Sequence, residues 1–124
     1  MVNTQQPSGP VTSTFATSLC GRHTDLVVTR FSDKTLVVVT QVGRLGTVLD
    51  IARDAVDTPG GASGTRPVYS VSVLLGRDTE EVLLLGRMLA EKLASDKPLL
   101  VCVGIKDLTP AVAAQVVKYV ASKF

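Results

Sequence analysis

Apolar residues fall at intervals of two along the first part of this chain and at intervals of three and four later, so strands are expected to precede helices. Thr12 to Cys20 and His23 to Phe31 read as two strands joined at Gly21-Arg22. Ser32-Asp33 then turns the chain into a third, Lys34 to Val42. The centre of that strand, Leu36-Val37-Val38-Val39, is apolar on both faces, the pattern of a covered inner strand. Gly43-Arg44-Leu45-Gly46 is too short for a parallel crossover, so Thr47 to Arg53 is expected to return antiparallel and complete a four-strand meander. Tyr69 to Leu74 alternates cleanly and makes a fifth, half-exposed strand that ends by Gly76.

The period then lengthens. Asp78 and Glu81 have the spacing of an N-cap and its reciprocal partner. Val82, Leu85, Leu89 and Leu93 follow on one helical face, and Asp96-Lys97-Pro98 closes the helix. Leu99 to Ile105 is a sixth, strongly apolar strand. Thr109-Pro110 offers an N-cap with proline at the first helical position, and Val112, Val116 and Val120 line the helix it starts. The order βββββαβα predicts an α+β fold: an antiparallel six-stranded sheet with two helices packed on one face. Residues 1–11 form a polar leader, expected to be mobile, and 12–124 a single domain with a Gly/Pro-rich loop at 57–67.

Two layers leave one face of such a sheet bare. Several strands are nevertheless apolar on both faces, as in Val37-Val38-Val39 and Val101-Cys102-Val103. That mismatch argues for dimerisation through the sheet. Val37, Val39, Val71 and Val73 are expected to form the contact, and an offset of one residue would exchange Val38 for its two neighbours.

Composition narrows the chemistry. Hydrophobic residues make up 45% of the 124, with 20 valines and no Trp, so the core relies on β-branched packing. A chain of this length can bury about two-thirds of its surface, which supports one core without covalent staples. The net charge of +2 is spread along the chain without a basic block, and the few aromatics are scattered, so nucleic-acid binding is not expected. No apolar run approaches the length of a membrane span, and two cysteines give no disulfide framework. A soluble protein of the cytoplasm, with the nucleus also open to it, is the expectation.

The usual catalytic patterns are missing. His23 is the single histidine, and Cys20 and Cys102 lie far apart, so no metal cluster or cofactor site is expected. Cys102 sits inside an apolar strand, where a packed thiol is the natural reading. Asp78, Glu80 and Glu81 crowd a helix start, where unpaired amides account for them. Gly60, Gly61 and Gly64 are not followed by the Lys-Ser or Lys-Thr of a phosphate loop. Arg44 and Leu45, held between Gly43 and Gly46, make a candidate contact point on a turn; a solvated Arg and a covering Leu fit them at least as well.

Leu36-Val37-Val38-Val39-Thr40-Gln41 followed by Gly43-Arg44-Leu45-Gly46-Thr47 closely resembles the central hairpin of the proteasome assembly chaperone 3 family. The segment from Leu19 through Phe31 with its Cys20-Gly21, the Leu74-Leu75-Gly76 ending, and the strand leading to Lys106-Asp107 resemble it too. The likeness runs from about Ser18 to Lys123, while the 57–67 loop has no clear counterpart and the last helix matches loosely.

The resemblance implies a non-catalytic protein, not an enzyme, that pairs through its sheet as a homodimer or with a proteasome assembly chaperone 4-like partner. It further implies that the pair binds proteasome α-subunits, promotes ordered α-ring formation and leaves before the core particle matures. Gly43, Arg44, Leu45 and Gly46 are the positions expected to meet that partner. Two other classes remain open: a small dimeric scaffold or trafficking-complex module, and a small enzyme that would need an accessible Cys102 or carboxylate.

Overall fold

The computed structural model describes residues 9–43, 46–54 and 68–124. Six strands and two helices follow the expected order: β1 Val11–Leu19, β2 Arg22–Arg30, β3 Thr35–Thr40, β4 Thr47–Asp54, β5 Val68–Leu75, α1 Glu80–Leu93, β6 Leu99–Gly104 and α2 Pro110–Lys123. The Gly/Pro-rich stretch 57–67 and the first eight residues of the leader lie outside the described residues.

The strands form one sheet in the order β1-β2-β3-β6-β4-β5. It is mixed, which corrects the purely antiparallel expectation: β3 and β6 run parallel, with Val37 opposite Val101 and Val39 opposite Val103. The meander ends at β3. β4 does run back against the direction of β3, but it pairs with β6 and β5 instead. The cause is the crossover from β5 through α1, which passes over β4 and delivers β6 into the gap between β3 and β4. The strand placed in the middle is the one with the most continuous apolar run, LLVCVG, and all but Leu100 of it is buried.

Both helices cover the same face. Leu26, Val28, Val37, Val39, Leu49, Val101 and Leu99 pack there against Leu85, Leu89, Ala113, Val116 and Val120. Gly86 lets α1 lie close on the sheet: a methyl group at that position would come within 2.7 Å of Val71 Cγ1 and 3.2 Å of Leu49 Cδ1. The start of α1 is one residue later than the sequence spacing suggests. Thr79, with extended backbone (φ −74°, ψ 157°), is the N-cap, and its side chain accepts a hydrogen bond from the Val82 amide at 3.3 Å. Glu80 and Glu81 then occupy the first turn, where they meet the positive end of the helix dipole. Thr109 caps α2 in the same way, with Pro110 following as expected.

The expectation that Val37, Val39, Val71 and Val73 form a dimer contact is corrected by the register. Val37 and Val39 are 0% exposed and lie beneath the helices of their own chain. Val71 and Val73 are half-buried on that same side, opposite Ile51 and Leu49. Strand periodicity of two means that the neighbours of these residues face the other way.

Candidate protein-interaction surfaces

The helix-free face is built by the alternate residues. Across its middle, Thr14, Val27, Val38, Cys102 and Val48 stand in one cross-strand row, set by the pairs Thr14–Val27, Val27–Val38, Val38–Cys102 and Cys102–Val48. A second row runs Thr12, Thr29, Leu36, Leu100, Asp50 and Ser72. Val27, Leu36, Val38, Leu100 and Val48 are half-buried in a strip that no helix covers. Leu74 extends the apolar area at the β5 edge, 59% exposed beside the bulge where β4–β5 pairing shifts at Val48/Leu49. Polar character comes from hydroxyls, among them the Thr12–Thr29 contact at 3.0 Å, and from carboxylates: Asp50 within the strip and Asp25 at one end, held 2.8 Å from His23.

Cys102 lies at the centre of this face yet is only 4% exposed, screened by its neighbours Val38 and Val48. Burial pushes its thiol up from the ordinary value, which disfavours the nucleophilic thiolate. Cys20, by contrast, is exposed at the β1–β2 turn. Among the described residues no group of three or more His, Cys, Asp or Glu could hold a metal ion, and no helix is long and apolar enough to cross a membrane.

A second surface lies at the end of the sheet where β1, β3, β5 and β6 all finish. On either side of the β3–β4 connection, Gln41 and Gly46 rest on the end of β6. The Gln41 amide donates to the Gly104 carbonyl at 2.9 Å, and Gly46, with φ +68°, rests on the backbone of Val103 and Gly104. Gly43 also has positive φ, +71°, but stands in open space. Arg44 and Leu45, the other two positions expected at a partner contact, lie outside the described residues.

The same end is tied together by side chains from distant parts of the chain. Arg22 at the start of β2 pairs with Asp107 after β6 at 3.2 Å, and Gln115 of α2 accepts from the Cys20 amide at 3.2 Å. The Gln41 side chain donates to Thr24 at 3.0 Å. Between the β5–α1 and β6–α2 connections an open cleft of about 480 Å³ is lined by Arg77, Thr79, Glu81, Ile105, Lys106 and Thr109 among others. Its charges are mixed, so it offers a polar rim instead of a pocket for one small molecule.

Sequence reasoning named Val38 only as the alternative to Val37 and Val39, and missed Leu36, Val48, Leu100 and Cys102 as residues of the bare face. Four successive apolar residues in β3 carry no signal for which alternate pair faces the helices. The helices packed on Val37 and Val39 supply it.

Comparison with known proteins agrees with this fold. The family model for proteasome assembly chaperone 3 matches residues 37–123. The proteasome assembly chaperone 3 of Homo sapiens is 33% identical over 92 residues, covering 72% of each chain. That of Nematostella vectensis is 29% identical over 109 residues, covering 83% of this chain and 81% of the relative. Among solved structures, one chain of a crystal structure described as a novel chaperone complex for yeast 20S proteasome assembly superposes with a TM-score of 0.66. The overlap covers 90% of this chain and 97% of the other at 17% identity, so it speaks to the fold.

Proposed function

This chain belongs to the proteasome assembly chaperone 3 family, and from that premise we propose that it is a non-catalytic chaperone for proteasome α-subunits, promoting their ordered closure into a ring. It works as a pair, joined through the bare sheet face to a second copy or to a proteasome assembly chaperone 4-like protein. The pair holds an α-subunit surface by shape, selects its neighbours, and is displaced before the core particle matures. The protein acts in the cytoplasm, with the nucleus also open to it.

The observation that carries this reading is the uncovered apolar strip of Leu36, Val38, Val48 and Leu100, opposite the helices. A sheet that is apolar on both faces has one more layer to bury than its own chain supplies. The subunit contact falls to the loop end around Gly43–Gly46, where mixed charge favours an interface that is specific yet reversible.

Tagged protein purified from cells that are assembling proteasomes, with co-purifying chains identified by mass spectrometry, tests the proposal. Recovery of α-subunits together with a second small protein, without the mature β-ring, is the expected result. Recovery of neither would overturn it. Val38→Glu should remove the small partner while leaving the fold intact by circular dichroism.

A further inference from the structure

β1 is an edge strand. All nine of its residues, Val11–Leu19, pair with β2, and among the described residues nothing pairs with its other side. A row of free N–H and C=O groups accepts another strand unless charge, proline or a bulge prevents it. β1 has none of these: VTSTFATSL is uncharged and lacks proline, and its register runs unbroken from Val11 opposite Arg30 to Leu19 opposite Arg22. The other edge, β5, carries a bulge beside its exposed Leu74 and Leu75.

The sequence of β1 also reads nearly the same in both directions about Phe15. Thr14 mirrors Ala16, Ser13 mirrors Thr17, Thr12 mirrors Ser18 and Val11 mirrors Leu19. An antiparallel pairing of two copies about a twofold axis at Phe15 would therefore set Val11 against Leu19 at the ends, hydroxyl against hydroxyl at Thr12–Ser18 and Ser13–Thr17, and Thr14 against the small Ala16 beside the axis. It would also place the two Phe15 rings directly opposite each other.

The faces agree as well. Odd-numbered residues of β1 lie on the helix side, as Phe15 opposite the buried Leu26 shows, and the twofold pairs odd with odd. Registers shifted by two keep the faces matched but set Phe15 against Ser13 or Thr17, losing the aromatic pair.

We propose that β1 is a self-association edge, pairing antiparallel with β1 of a second copy in the register centred on Phe15. The two sheets become continuous, with all helices on one side and the apolar strip still bare on the other. This surface is separate from the sheet-face contact proposed above, and either can hold without the other. Lys123, whose ammonium lies 5.3 Å from the Phe15 ring centroid, approaches its symmetry mate near the axis, so added salt strengthens the pairing.

Sedimentation velocity on the full chain over a concentration series tests it. In the proposed register Thr14 faces Ala16 of the other copy, and both side chains are exposed. The double substitution Thr14→Lys with Ala16→Lys puts like charges opposite each other twice and should raise the dissociation constant of one association step at least about tenfold. Thr14→Lys with Ala16→Glu puts opposite charges there and should restore that step. Repeating the pair in Val38→Glu protein isolates the edge from the sheet face, and circular dichroism checks that every variant folds.

In Val38→Glu protein, where the sheet-face contact is removed, an association step that survives the double lysine change, or that the Lys–Glu version fails to restore, overturns the proposal. So does wild-type protein that stays monomeric, or growth of the Val38→Glu protein into open chains, the signature of β1 meeting β5 of the next copy.

Discussion

Gly46 lies against the main chain of Val103, so that a methyl group at position 46 would be driven into the Val103 carbonyl oxygen. The contact pins the start of β4 across the end of the central strand. Gly43, three residues earlier, has a similar backbone (φ +71°) but no neighbour within 4 Å of such a methyl. The two glycines of one connection therefore respond differently to the same change. Gly43→Ala should cost about 1 kcal/mol, the conformational term alone. Gly46→Ala adds a steric clash with backbone and should exceed it by about 1 kcal/mol or more. Urea unfolding of the two variants gives the order directly, and equal losses would contradict the contact.

The two faces of β3 give a second test. Val37→Ala removes buried methyl groups from beneath the helices and should destabilise the isolated chain by about 2 kcal/mol. Val38→Ala, on the bare face, should cost about 1 kcal/mol or less in the isolated chain and weaken partner binding instead. Chemical denaturation paired with a binding measurement separates them. The opposite ranking would mean that the face assignment is reversed.

The cap of α1 is open to a direct comparison. Thr79→Ala removes the oxygen that accepts from Val82 and should lower stability by about 1 kcal/mol. Asp78→Ala, just outside the helix, should lower it by only a few tenths through the dipole. Thermal unfolding of both variants under the same buffer reports the difference.

Cys102 makes the stability pH-dependent in a known direction. Burial raises its thiol, so above the ordinary thiol range the unfolded chain releases a proton that the folded chain keeps. Its contribution is complete below that range and is lost as pH rises toward the raised folded value. Cys102→Ala should flatten the fall in unfolding free energy across this alkaline window, and a slope unchanged by the substitution would contradict it. In native protein a thiol reagent should label the exposed Cys20 quickly and reach Cys102 only on unfolding.

Much of this architecture was legible without coordinates, for identifiable reasons. Each strand is bounded by its own turn residues, such as Gly21 and Ser32-Asp33, and the helices announce themselves through Thr109-Pro110 and the 3.6-residue spacing of Val82, Leu85 and Leu89. These are local signals, carried by residues a few positions apart. The N-cap slipped by one residue because Asp78 and Thr79 are both capping types, and only the backbone geometry distinguishes them.

The local pattern of the chain carries the list of elements, their order and the excess of apolar surface over what two layers can cover. Where β6 goes, and with it everything about the faces, comes from long-range packing. A crossover that skips over β4 leaves no trace in the local pattern, because β6 would be equally apolar in any inner position. Its parallel register against β3 sets Val37 and Val39 beside Val101 and Val103, and the helices packed on that side leave Val38 bare. In a strand apolar on both sides, periodicity of two gives the spacing of a face but not its identity, and only the element packed against it breaks the tie.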